Sequence, residues 1–171
     1  MVDQEPTKTD KVQSAIFDWK RTLYNPDERR LMDNAEMLLK TLYQQGERPL
    51  HVIGMGDDGM YAEVERLGVG QYLENVIFLS EAKSDEVFAP YVDQEQPSST
   101  LVIGDRTRSE LEVGNRLGAT TIWVRQGKFS DEIPVTPEQQ PTHEVESLAG
   151  VIELLKEKYG IVFDAQDLLT K

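Results

Sequence analysis

Short apolar runs alternate along this chain with segments of helical periodicity, and that alternation admits few folds. The runs Ser14–Phe17, Leu50–Ile53, Val76–Leu79, Leu101–Ile103 and Thr121–Val124 have strand length, and several are rich in β-branched residues. Between them, Leu31, Ala35, Leu38, Leu39 and Leu42 recur at helical spacing up to Gly46, and Met60, Val64 and Leu67 do so up to Gly68. Shorter helices are expected over Ser84–Tyr91 and Ser109–Leu117, and a last one carries Leu148, Val151, Ile152, Leu154 and Leu155 to an end near Gly160. Strands that alternate with helices pair in parallel through right-handed crossovers. The expected architecture is therefore α/β, a doubly wound three-layer Rossmannoid sandwich with a mostly parallel sheet of about five strands. Lys128–Thr142, with Pro134, Pro137 and Pro141, reads as an extended loop.

In an open sheet of this kind, ligands collect beyond the carboxyl ends of the strands. Asp18 closes the run AIFD and Asp105 closes LVIGD, so two acids at the tips of buried strands suggest a metal site. The cations Lys20, Arg21, Lys83, Arg106, Arg108, Arg125 and Lys128 fall just after, or close to, strand ends. In a chain of formal net charge −13 they would make a local basic rim that attracts a small anion such as a phosphate ester. The same charge argues against nucleic acid and anionic membrane surfaces as partners. No run approaches the roughly 18 apolar residues of a spanning helix, and the polar, acidic opening MVDQEPTKTDKVQ is unlike a signal peptide, so a cytoplasmic protein is expected. The absence of cysteine excludes thiolate zinc sites and cysteine nucleophiles. His51 within the second strand and His143 before the last helix have no partner at metal spacing, and Trp19 and Trp123 read as packing residues.

The ordered blocks FDWKRTLYNP, LHVIGMG, EAKSDEVFAPYV and LVIGDRTRSELEVGNRLGATTIWVRQGKF, closed by QPTHEVESLAGVIELL, resemble the motifs of the haloacid dehalogenase-like hydrolase superfamily from Ser14 to Glu157. The resemblance implies a Mg²⁺-dependent phosphatase in which Asp18 attacks phosphorus and forms an aspartyl-phosphate. It places Asp18, Asp105 and the backbone carbonyl of Lys20 on Mg²⁺, with Glu110 supporting, and Lys83 beside the phosphoryl oxygens. It also implies a single core domain over 14–158 without the cap insertion other members carry, flanked by a flexible segment 1–13 and a tail 159–171. Such an open site suits a phosphorylated small molecule, a phosphoprotein held by its own bulk, or closure by a neighbour in a homo-oligomer.

Two positions depart from the family pattern. The phosphatases of the family carry a general acid and base two residues after the nucleophile, where this chain has Lys20. A serine or threonine hydroxyl normally binds phosphate at the end of the second strand, where this chain has Gly54, leaving the amides of Met55 and Gly56 as donors. One alternative is therefore a catalytically degenerate relative that keeps the fold for binding or assembly, with Lys20 bridged to Asp18. A second is a dinucleotide-binding protein, because GMGDDG follows a strand, precedes a helix and has Glu81 about twenty residues on. Against it, Asp57 and Asp58 put negative charge where a pyrophosphate would approach, and one of them is expected to cap the helix.

Overall fold

The computed structural model describes residues 11–45 and 48–163. In chain order these form β1 (Ser14–Phe17), β2 (Tyr24–Asn25), β3 (Arg30–Leu31), α1 (Ala35–Gln44), β4 (Leu50–Met55), α2 (Asp58–Arg66), β5 (Asn75–Leu79), α3 (Asp85–Phe88), β6 (Thr100–Gly104), α4 (Glu110–Arg116), β7 (Thr120–Val124), β8 (His143–Val145) and α5 (Leu148–Tyr159). Six strands make one sheet in the order β5-β4-β1-β6-β7-β8, every neighbouring pair parallel, and β2 and β3 form a separate antiparallel hairpin.

The period-two alternation of side chains divides the core between the two faces of the sheet. Ala15, Phe17, Leu50, Val52, Leu101 and Ile103 pack with Leu38 and Leu42 of α1 and with Val151 and Leu155 of α5. Their neighbours Ile16, Ile53, Val102 and Trp123 face the opposite way, toward Phe88, Leu111 and Val113. A parallel sheet covered on both faces needs strands apolar at nearly every position, which is why these runs are legible without alternation.

Two elements differ from the sequence reading. Strand β8 is a sixth strand that begins immediately after the expected loop; its sequence His-Glu-Val is too short and polar to signal a strand, and it pairs only at the sheet edge, against β7. Leu31 lies in β3 instead of α1. The turn between β2 and β3 is held by the Asn25 side chain, which accepts the N–H groups of Asp27 and Glu28 at 3.0 and 3.1 Å. Asn34, in the left-handed region at φ 72°, then starts α1 only at Ala35.

The first ten residues of the expected flexible segment, and residues 164–171 of the expected tail, lie outside the described residues. Val12 is buried and the Gln13 N–H donates to the Ser99 carbonyl at 2.8 Å. Ile161 and Phe163 are likewise buried in the core.

Chain direction across the sheet reverses beside β1: successive strands run outward through β4 and β5, then resume on the other side with β6, β7 and β8. Where the order reverses, the connecting loops diverge and leave a crevice beyond the strand ends. The register Phe17↔Ile103 brings the ends of β1 and β6 level at that point.

Candidate active site

Asp18 and Asp105 occupy the two lips of this crevice. The Asp18 N–H donates to the Ile103 carbonyl at 2.9 Å, so the sheet ladder fixes its backbone. The chain then coils tightly, the Trp19 carbonyl accepting N–H groups from Thr22, Leu23 and Tyr24 at 3.2, 2.9 and 2.9 Å. That coil returns the Thr22 hydroxyl to donate to Asp18 Oδ2 at 3.0 Å. Thr22 was not among the residues singled out in the sequence; its signal is its place four residues beyond a strand-end acid.

Glu110 opens α4 and folds back over the end of β6, where its Oε2 accepts the Arg106 N–H at 2.9 Å. Its carboxylate lies where a side chain at position 104 would begin, so the residue before Asp105 has to be glycine. Lys83, from the loop after β5, donates from Nζ to Asp18 Oδ1 at 2.5 Å and to Glu110 Oε1 at 2.8 Å, with only 3% of its side chain exposed. Thus Asp18, Lys83, Asp105 and Glu110, drawn from three separate stretches of the chain, meet at one point.

Two of the three buried acids, Asp18 and Glu110, share one ammonium. One ligand oxygen from each of Asp18, Asp105 and Glu110 lies within 4.8 Å of the others. Asp105 Oδ2 is buried with no hydrogen-bond partner among the described residues. Burial, then the negative charges of Asp18 and Glu110, push the Asp105 carboxyl up to about 10. Burial and Asp18 raise Glu110 as well. For Lys83, burial alone would lower the value, but the carboxylates of Asp18 and Glu110 outweigh it and hold the ammonium protonated. All donors are oxygens, one is orphaned, and with every carboxyl ionised the cluster would carry two more negative charges than positive. These features fit a compact, hard divalent cation.

The remaining expected residues are placed less centrally. Lys20 is half-buried and forms no ion pair among the described residues; the partner of Asp18 is Lys83, not Lys20. Gly54 has a physical cause: a Cβ there would meet the Cβ of Trp19 at 2.9 Å. The Phe78 ring at 3.3 Å and the Trp19 backbone N at 3.4 Å close the same space, and Trp19 is itself held in place, wholly buried and stacked on Tyr24 with ring centroids 5.1 Å apart. The Gly56 N–H donates to the Leu79 carbonyl at 3.0 Å and so is engaged within the sheet, while Met55 is exposed beside it. Asp57 caps α2 as expected, accepting the Gly59 N–H at 3.0 Å, which puts a carboxylate where a pyrophosphate would sit. His51 is buried, 3.2 Å from the Asn75 side-chain amide and tilted against Tyr91.

Residues 77–151 match a hydrolase-like family model described as HAD-hydrolase-like, a span that includes Lys83, Asp105 and Glu110. Among solved structures, YfnB of Bacillus subtilis, assigned as a HAD hydrolase and bound to magnesium, superposes with a TM-score of 0.61 at 23% identity over 74% of this chain and 57% of its own. The chain has a haloacid dehalogenase-like fold. A HAD phosphatase from Thermococcus onnurineus superposes with a TM-score of 0.58 at 15% identity, covering 73% of this HAD-like chain and 58% of that one. A curated glyceraldehyde 3-phosphate phosphatase of Methanopyrus kandleri is 25% identical over 99 residues, 54% of this chain and 42% of the relative. The HAD-like chain thus spans less than half the length of that relative. No helix among the described residues is long and apolar enough to cross a membrane.

Proposed function

We propose that this HAD-like chain is a Mg²⁺-dependent phosphatase that acts on a phosphomonoester through an aspartyl-phosphate at Asp18. One observation carries the reading: a buried trio of carboxyl groups with a single ammonium, two negative charges in excess once all three ionise, sits at the point where the strand order reverses. The names of the phosphatases it resembles support the same class of reaction.

In this reading Asp18, Asp105 and the Lys20 carbonyl hold Mg²⁺, with Glu110 in support. When bound, the ion neutralises charge on the phosphoryl oxygens. The chain's own groups do the rest. A carboxylate oxygen of Asp18 attacks phosphorus, the ester oxygen leaves, and Lys83 offsets charge on both the nucleophile and the phosphoryl group. The Met55 and Gly54 backbone borders the phosphate in place of the absent hydroxyl. Lys20, in the position of the general acid, donates a proton to the leaving oxygen; the resulting amine takes a proton from the water that opens the acyl phosphate.

The test is turnover of a panel of phosphomonoesters with Mg²⁺ and with a chelator, in the unmodified chain, in Asp18→Asn and in Lys20→Asp. Mg²⁺-dependent turnover that Asp18→Asn abolishes is expected. If the unmodified chain is inert and Lys20→Asp alone shows activity, the chain is a degenerate scaffold and the proposal fails.

A further inference from the structure

Beyond the buried acids, the rim of the site carries an arrangement that the proposed chemistry does not use. The loop after β7 turns at Gly127, φ 73°, and presents Phe129 half-buried. Three cations surround that one ring: Arg106 at 4.1 Å from its centroid, Lys128 at 5.4 Å and Arg21 at 5.7 Å. Like charges gathered on one ring repel, and cation–π attraction offsets this only in part. Arg106 is balanced by Glu132 at 3.0 Å, whereas Arg21 and Lys128 form no ion pair among the described residues. Asp131, three residues beyond Lys128, adds to the negative charge around Arg125. Other basic side chains of the rim are spoken for, Arg108 by the Ile133 carbonyl at 2.7 Å and Arg125 by Glu144 at 2.8 Å.

The backbone sets Arg21 in this position deliberately. Its φ of 66° lies in the left-handed region, where glycine would serve the turn better than any side chain. Its N–H donates to the Tyr24 carbonyl at 2.6 Å, and its own carbonyl accepts from Gln126 Nε2 at 2.9 Å, tethering the coil after Asp18 to the loop that carries Lys128 and Phe129. Arg21 lies three residues beyond Asp18 and Arg106 directly follows Asp105, so the basic cluster adjoins the buried acids while remaining separate from Lys83.

We propose that Arg21, Arg106 and Lys128, seated on Phe129, form a second anion subsite that selects phosphomonoesters bearing a further acidic group on the leaving portion. The proposal rests on the phosphatase reading for where the first phosphate sits. A carboxylate or a second phosphate would satisfy it, since both offer the planar or tripodal oxygens that guanidinium and ammonium groups bind. Charge complementarity of this kind governs which ligand is accepted and how fast it arrives.

Matched esters test it: 3-phosphoglycerate against glycerol 3-phosphate for a carboxylate, and fructose 1,6-bisphosphate against fructose 6-phosphate for a second phosphate. Turnover is compared in the unmodified chain, in Arg21→Gln/Lys128→Gln and in the charge-keeping Lys128→Arg, with melting curves to show that each folds. The acidic member of at least one pair is expected to be preferred, the preference falling about fivefold or more in the double variant, persisting in Lys128→Arg and shrinking with added salt. Equal kcat/KM for both members of each pair, or a preference unchanged in the double variant, overturns it. Should no ester be hydrolysed, the phosphatase reading falls alone. Calorimetric binding of the same pairs then decides the subsite: an acidic-member preference lost in Arg21→Gln/Lys128→Gln upholds it, and no preference overturns it.

Discussion

Replacing Gly104 with alanine tests the architecture of the acidic centre without reference to turnover. The new Cβ would fall inside contact with Glu110 Oε2 and Cγ and 2.5 Å from its Cδ, so the carboxylate has to move. It has nowhere favourable to go. Glu110 is 1% exposed, and its two oxygens hold Lys83 Nζ at 2.8 Å and the Arg106 N–H at 2.9 Å. Overpacking alone costs about 1–3 kcal/mol, and separating one partner of a buried ion pair costs about 3–5 kcal/mol. Because the two effects share one displacement, about 3–5 kcal/mol is the expected total, a lowering of Tm by roughly 6–20 °C for a domain of this size. Urea unfolding and thermal melts of Gly104→Ala, Glu110→Ala and the double variant measure it. In the Glu110→Ala background the clash is gone, and the alanine at 104 should cost less than about 1 kcal/mol. An equal cost in both backgrounds, or a Tm for Gly104→Ala within about 2 °C of the unmodified chain, would refute the placement of Glu110 over the end of β6.

Four further outcomes are expected. Thr22→Val leaves Asp18 Oδ2 without its donor at a cost of about 1–3 kcal/mol in denaturant unfolding, restored by Thr22→Ser; a valine variant as stable as the original contradicts the assigned bond. Asp105, raised from 3.8 to about 10, holds a proton in the metal-free fold that the unfolded chain has already released, so the metal-free protein loses stability as pH rises through that window. A bound divalent ion must displace that proton, so calorimetric Mg²⁺ affinity should rise with pH between about 6 and 9, by at most about tenfold per unit for one proton, and a flat profile would count against it. Glu63 is held far below the ordinary carboxylate range by Arg66, Arg29 and Tyr24, tying α2 to the β2–β3 hairpin. Its stabilisation is present above the ordinary value of 4.5 and lost as pH falls below it; the Tm gap between the unmodified chain and Glu63→Gln should therefore narrow in acid, and a gap independent of pH would dismiss it.

The sequence by itself determined the layered α/β fold, because a sheet buried on both faces forces apolar runs such as LVIG and TIWV, and amphipathic helices between them follow from the need to cover it. It also marked Asp18 and Asp105 as acids at strand ends, and the resemblance of the ordered motifs added Lys83 and Glu110. Tertiary structure decided what no local pattern encodes. Strand β8 exists because β7 offers an open edge, and Leu31 turns away from α1 because Asn25 and Asn34 shape the preceding hairpin. Gly54 is left without a side chain because the Trp19 Cβ and the Phe78 ring close over it, the first a contact between residues 35 positions apart. The sorting of the basic residues is likewise a property of the fold: seven cations near strand ends look alike in sequence, and only packing assigns Lys83 to the acids, Arg108 and Arg125 to other partners, and Arg21, Arg106 and Lys128 to one phenyl ring.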